Sequence, residues 1–110
     1  MVRVASIDLG SNSTRLLIAD ITNGNLTTIY KEHQVTRMAD KLSESKIISK
    51  ESTKRVLKVL AGYFKTINKN NIENIQIVGT AAFRDAKNSQ DITQLIAVSY
   101  THLRAHETDR

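Results

Sequence analysis

Hydrophobic and polar residues alternate at the start of the chain, V-R-V-A-S-I-D-L from Val2 to Leu9, and the run stops at Gly10. A period of two with β-branched residues predicts a strand that ends in a turn. Leu16 to Ile21 is a nearly continuous apolar run and predicts a partner strand. Asn23-Gly24 separates it from a third run, Leu26 to Tyr30. Asn-Gly tolerates the positive φ of a tight hairpin turn, so three antiparallel strands are expected. Arg37 to Ile48 is polar with scattered apolar residues and suits a loop or a short helical turn. The pattern then changes period. From a capping Ser49 to about Ile67, the residues Val56, Val59, Leu60, Tyr63, Phe64 and Ile67 fall on one helical face. Asn68 to Asn71 breaks that helix. Ile72 to Val78 alternates again and stops at Gly79, and a strand reached through a crossover helix is expected to lie parallel to the first. Ser89, followed by Ile92, Leu95 and Ile96, starts another short helix. The expected fold is α/β: an antiparallel three-strand hairpin sheet, a crossover helix and a parallel strand.

Composition narrows the setting. The 110 residues suffice for one small domain or part of one. With 40% apolar and 25% charged residues the chain has the balance of a folded globular segment. The absence of cysteine excludes a disulfide framework and a zinc–thiolate site. The apolar runs are far too short for a membrane span or a signal-peptide core, so a cytoplasmic location is the default and no membrane partner is expected. The net charge of +5 resides in residues 1–98, because Arg104 and Arg110 are balanced by Glu107 and Asp109. A basic body attracts polyanions. Aromatics are only 5%, and no basic run is interleaved with stacking rings, so nucleic acid is not the expected partner. A solvated basic surface is the plain alternative.

The last segment, V-S-Y-T-H-L-R-A-H-E-T-D-R from Val98 to Arg110, breaks with what precedes it. It resembles translated adapter sequence, so residues 1–97 are read as the folded segment and 98–110 as a non-native tail. His102 and His106 stand four apart and could chelate a metal on a helix, a reading the tail assignment outweighs.

Two stretches carry chemistry. In I-D-L-G-S-N-S-T-R, Ile7 to Arg15, an acid ends a strand, Gly10 allows a turn, and Ser11, Asn12 and Ser13 offer hydroxyl, amide and backbone donors. Successive turn N–H groups can form an anion-binding nest, and Asp8 could hold a divalent cation. A plain Gly-Ser-Asn hairpin turn, with Arg15 facing outward, is the competing reading. The second stretch, G-T-A-A-F-R-D-A-K-N-S from Gly79 to Ser89, again follows a strand. Thr80 is expected at a strand's carboxyl end, where open α/β sheets bind ligands. Arg84 and Lys87 could reach one anion, with Asn88 as an added donor, and arginine suits phosphate through its planar fork. Taken alone, Arg84 could instead pair with Asp85.

Together, in this order and separation, the two stretches resemble the exopolyphosphatase/guanosine pentaphosphate phosphohydrolase family, over Val2 to about Ala97. The resemblance implies the N-terminal part of a ribonuclease H-like (actin-like ATPase) domain. It further implies Mg²⁺-assisted removal of a terminal phosphate from inorganic polyphosphate or guanosine pentaphosphate. Asp8 matches the family's acid near the metal. Ser11, Asn12, Ser13 and Arg15 match its phosphate-contacting stretch, and Arg84, with Thr80 and Asn88 beside it, matches the second motif. Arg37 matches the basic residue of a stretch that usually reads R-L-G-x-G-L. Here it reads R-M-A-D-K-L, with Ala39 and Lys41 in place of both glycines.

The glutamate that activates water in the family, and a later glycine-rich phosphate loop, find no match in this chain, since Glu107 lies in the tail. The expected reading is a segment of a phosphohydrolase that is itself inactive. The alternative is a non-catalytic module that senses polyphosphate or guanosine tetraphosphate, and an ATP-dependent sugar kinase fits the second motif poorly. A homodimer of the parent protein stays open. With the elements that would cover the sheet absent, the isolated chain is expected to be marginally stable or aggregation-prone.

Overall fold

The computed structural model describes the backbone of residues 1–108 and the side chains of residues 1–101. Strands β1 (Val2–Leu9), β2 (Ser13–Thr22) and β3 (Asn25–Val35) form an antiparallel meander. After the short helix α1 (Leu42–Ser45), the long helix α2 (Lys50–Lys69) leads to β4 (Asn74–Gly79), followed by α3 (Ala81–Asp85) and α4 (Ser89–Thr108). The sheet order is β3-β2-β1-β4, with β4 parallel to β1, which is the expected fold class.

The elements differ from the sequence expectation chiefly in length. β2 and β3 extend beyond the apolar runs, because in a hairpin the polar residues flanking each run still pair: Ser13 opposes Val35 and Thr22 opposes Asn25. A register shift at Ile18/Ala19 leaves Ile29 without a partner on β2, and the alternation of faces along β3 changes there. The helix expected to be short from Ser89 runs unbroken to Thr108, through the stretch set apart as a tail. Tyr100, in that stretch, packs edge-on against Phe64 with ring centroids 4.9 Å apart.

Only one face of the sheet is covered. Ala5, Ile7 and Leu9 of β1 and Leu16 and Ile18 of β2 point with period two toward α2 and α4, where Val56, Leu60, Tyr63, Phe64, Ile67, Ile92 and Ile96 complete the core. Ser49 caps α2 by accepting the Ser52 N–H at 3.1 Å, and Asn71 leaves the helix at φ 56°. The opposite face is open. Val2, Ile21 and Leu26 lie exposed at one end of it.

Candidate functional site

The open face changes character along the strands. The same alternation that sends Ile7 and Leu9 into the core sends Ser6 and Asp8 outward. Across β2 their partners are Leu17 and Arg15, and across β3 those residues meet Lys31 and His33. Ser6, Asp8, Arg15, Leu17, Lys31 and His33 line a shallow basin of about 650 Å³. Asp8 and Arg15 are direct register partners, and no ion pair joins them.

At the end of this basin lies the β1–β2 turn. It is closed by the Gly10 N–H, which donates to the Ser13 carbonyl at 3.0 Å. A β-carbon on Gly10 would come within 2.7 Å of that carbonyl oxygen, so the glycine is required by its own turn. Ser11 and Asn12 are exposed, and the side chains of Ser11, Asn12 and Ser13 make no hydrogen bond among the described residues.

The turn is anchored from behind. The Asn12 carbonyl accepts the N–H groups of Thr36 and Arg37, both at 3.0 Å, and the Ser11 carbonyl accepts that of Ala39 at 3.1 Å. Thr14 and Thr36 share a buried hydroxyl–hydroxyl bond of 2.9 Å. From α2, Arg55 donates to the Thr36 carbonyl at 2.7 Å, Ser52 donates to the Arg37 carbonyl at 3.0 Å, and the Tyr63 hydroxyl donates to the Thr14 carbonyl at 2.7 Å. Burial, with the nearby Glu32 and Tyr30, pushes the Tyr63 phenol up to about 12. Residues 36–39 are thereby held against the turn, with Arg37 at φ 51°. Ser52, Arg55 and Tyr63 were not among the expected site residues. A buried serine and a tyrosine hydroxyl on an otherwise apolar helix face are the signal that could have marked two of them.

The second motif joins the first through the parallel pairing of β1 and β4. Leu9 and Gly79 are register partners, and the Thr80 N–H donates to the Leu9 carbonyl at 3.2 Å. Thr80 also caps α3, its hydroxyl accepting the Phe83 N–H. Arg84 does not pair with Asp85. Its guanidinium donates to the Gly79 carbonyl at 2.7 Å, which holds it at the carboxyl end of β4. Asn88 is placed elsewhere: its carboxamide accepts the Ile48 N–H and donates to the Ile48 carbonyl, both at 2.9 Å. His102 and His106 lie outside the residues whose side chains are described.

Among the described residues no group of three or more histidines, aspartates or glutamates is placed to hold a metal ion. Asp8 is the carboxylate nearest the turn along β1, and a single carboxylate suits Mg²⁺ that shares its remaining sites with phosphate oxygens and water.

The profile of the Ppx/GppA phosphatase family matches residues 17–101, most of the chain. The chain belongs to that family. Similar to this Ppx/GppA chain are a bifunctional 3-dehydroquinate synthase/phosphatase of Fusobacterium nucleatum, 41% identical over 76% of the chain, and a putative exopolyphosphatase of Haemophilus influenzae, 31% identical over 86%. A guanosine-5'-triphosphate,3'-diphosphate pyrophosphatase of Aliivibrio fischeri is 38% identical over 76%. The chain spans 14%, 29% and 17% of the length of these three relatives. Among solved structures, the Aquifex aeolicus Ppx/GppA family member superposes with a TM-score of 0.78 at 36% identity, over 83% of this chain and 30% of that one. A Cytophaga hutchinsonii exopolyphosphatase gives 0.83 at 26% identity, over 89% and 31%. The sheet order and the juxtaposed strand ends described above are thus those of a Ppx/GppA segment.

Proposed function

We propose that this chain forms the phosphate-holding part of a phosphohydrolase acting on inorganic polyphosphate or guanosine pentaphosphate, and that by itself it binds such phosphate chains without cleaving them. One observation carries the reading: the Thr80 N–H to Leu9 carbonyl bond, which puts two donor-rich motifs some seventy residues apart in sequence at one end of adjacent parallel strands. The substrate class follows relatives named as exopolyphosphatase and as guanosine-5'-triphosphate,3'-diphosphate pyrophosphatase.

In this reading Ser11, Asn12 and Ser13 surround a terminal phosphate with hydroxyl, amide and backbone donors, since none of their side chains is committed within the fold. Arg15 offers an unpaired guanidinium from the basin. The Thr80 hydroxyl, which accepts from Phe83, keeps its own proton to donate, and Arg84 stands at the Gly79 carbonyl. Asn88 retains one amide proton beyond its clamp on Ile48. Mg²⁺, when bound through Asp8 and the substrate, would neutralise phosphate oxygens during transfer. Phosphoryl transfer also needs a group that orients water, and with Asp8 engaged by the cation none of the named residues supplies one.

Titration calorimetry with polyphosphate, with and without Mg²⁺, together with a phosphate-release assay, tests the proposal. Expected are saturable binding by the chain without release, and release by a protein of the relatives' length that carries it. Binding unaffected by Ser11→Ala and Arg15→Gln would overturn the site. Binding without release even by the longer protein would replace the hydrolase by a sensor.

A further inference from the structure

Helix α2 has two unlike faces. One carries Val56, Leu60, Tyr63, Phe64 and Ile67 and is buried. At 3.6 residues per turn, Lys50, Lys54, Lys58, Lys65 and Lys69 fall within an arc of about 100° on the opposite side, and all five are exposed. These five and Arg55 stand against a single acid, Glu51, so α2 has a formal charge of +5. That equals the net charge of the whole chain, whose other ten basic residues are matched by ten acids. No ion pair neutralises the lysine stripe among the described residues.

Solvation alone does not account for this pattern. A wet helix face is served better by charges of both signs, because opposite charges four residues apart stabilise a helix and like charges weaken it. Lys50 and Lys54, Lys54 and Lys58, and Lys65 and Lys69 are all like-charge pairs at that spacing. Lys50 also stands in the first turn, where the helix dipole disfavours a cation. Lysine is almost never buried without a partner, so packing against further protein does not explain five of them in one stripe. A row of cations spaced about 6 Å apart within each pair, along about 28 Å of helix, suits a linear polyanion of regular charge. The aromatic residues of α2, Tyr63 and Phe64, are buried, so no ring stands in the stripe for a base to stack on, which favours polyphosphate over single-stranded nucleic acid. The stripe starts at the end of α2 that is bonded to the back of the phosphate turn. There Ser52 and Arg55 donate to the carbonyls of Arg37 and Thr36, and the N–H groups of those two residues donate to the Asn12 carbonyl.

We propose that the outer face of α2 is a second polyphosphate-binding surface, which holds the distal part of a long chain whose end lies at the Ser11–Ser13 turn. The choice of polyphosphate rests on the function proposed above. Titration calorimetry of the full chain with tripolyphosphate and with long-chain polyphosphate tests it, and the long chain should bind more tightly. Lys50→Gln/Lys54→Gln/Lys58→Gln should weaken long-chain binding about tenfold or more and flatten its salt dependence, while tripolyphosphate affinity stays unchanged. Asn25→Asp/Gln90→Glu/Gln94→Glu lowers the net charge by the same amount on β3 and α4, and should have a much smaller effect. Circular dichroism melts show whether each variant is folded, and the lysine variant should melt no lower than the parent, since it loses like-charge repulsion. Long-chain affinity indifferent to the three lysines in a folded variant would overturn the proposal. So would an equal loss from the charge changes on β3 and α4, or tighter binding of single-stranded DNA than of long polyphosphate at equal phosphate concentration. Tripolyphosphate binding unaffected by Arg15→Gln, with long-chain binding still weakened by the lysine changes, would remove the turn site and leave this surface standing.

Discussion

Arg3 and Asp20 are cross-strand partners at one end of β1 and β2 and close an ion pair of 2.7 Å, while Asp8 and Arg15, partners at the other end of the same strands, close none. Hydrogen bonding to the Arg3 guanidinium also holds the Asp20 carboxyl below its ordinary range. The two pairs have the same chemistry and opposite states, which separates structure from ligand binding. Arg15→Gln is expected to leave the melting temperature within about a degree and to weaken polyphosphate binding roughly tenfold, as loss of a charge-assisted bond does. Arg3→Gln should lower the melting temperature slightly and leave affinity unchanged. Calorimetry of both variants checks this, and equal destabilisation by the two would sink it.

Tyr63 reaches from α2 to the first carbonyl of β2 after Ser13, with a hydroxyl that is all but inaccessible to solvent. Tyr63→Phe keeps the ring and removes the buried hydroxyl's bond to the Thr14 carbonyl, which keeps its partner on β3, at a cost of about 1 kcal/mol. The pH dependence has a definite sign. The folded phenol ionises near 12 and the unfolded one near 10, so its contribution is complete below about pH 10 and is lost as the pH rises toward 12. Chemical denaturation across that interval should show a decline in the parent chain that is absent from the phenylalanine variant.

How far the sequence reaches is clear from these residues. Period two located β1 from Val2 to Leu9, and period 3.6 found the buried face of α2, because both elements have one dry side. Asp8 and Gly10 could be placed at a strand end from pattern alone. What joins the two motifs, the Thr80–Leu9 bond, is a backbone contact across a parallel pairing and has no residue-specific mark. The partners of Asn12 are likewise backbone groups of Thr36 and Arg37, whose approach depends on Arg55 and Ser52 in a helix that begins a dozen residues later. Local pattern predicts elements, and long-range polar contacts decide which of their ends meet.

Lys41 shows a second kind of legibility. It occupies the second glycine position of the R-L-G-x-G-L pattern and stands at φ 62°, whereas Ala39, at the first glycine position, is not among the residues with positive φ. A side chain in the left-handed region costs about 1–2 kcal/mol, part of which glycine gives back as extra disorder in the unfolded chain. Lys41→Gly is therefore expected to stabilise the fold by about 0.5–1 kcal/mol, and Ala39→Gly to destabilise it or leave it unchanged. Urea denaturation of both variants measures the difference, and an equal effect at the two positions would contradict the assignment.

Asn88 connects the start of α4 to the 46–48 segment through two bonds on one residue, its oxygen taking the Ile48 N–H and its nitrogen giving to the Ile48 carbonyl. The adjacent Lys87 N–H reaches the Lys46 carbonyl at 2.9 Å, so this contact is a small sheet-like clamp. Asn88→Ala strands both partners and should cost about 2 kcal/mol, with hydrogen exchange at the Ile48 amide accelerated. Asn88→Asp keeps the acceptor but sets a carboxylate oxygen against the Ile48 carbonyl, so it should be no milder. If Asn88 served phosphate first and structure second, the alanine variant would lose polyphosphate affinity while Ile48 kept its protection. The two bonds on Ile48 leave a single amide proton for a ligand, and the opposite outcome is expected: protection falls several-fold, and affinity changes less than it does for Arg15→Gln.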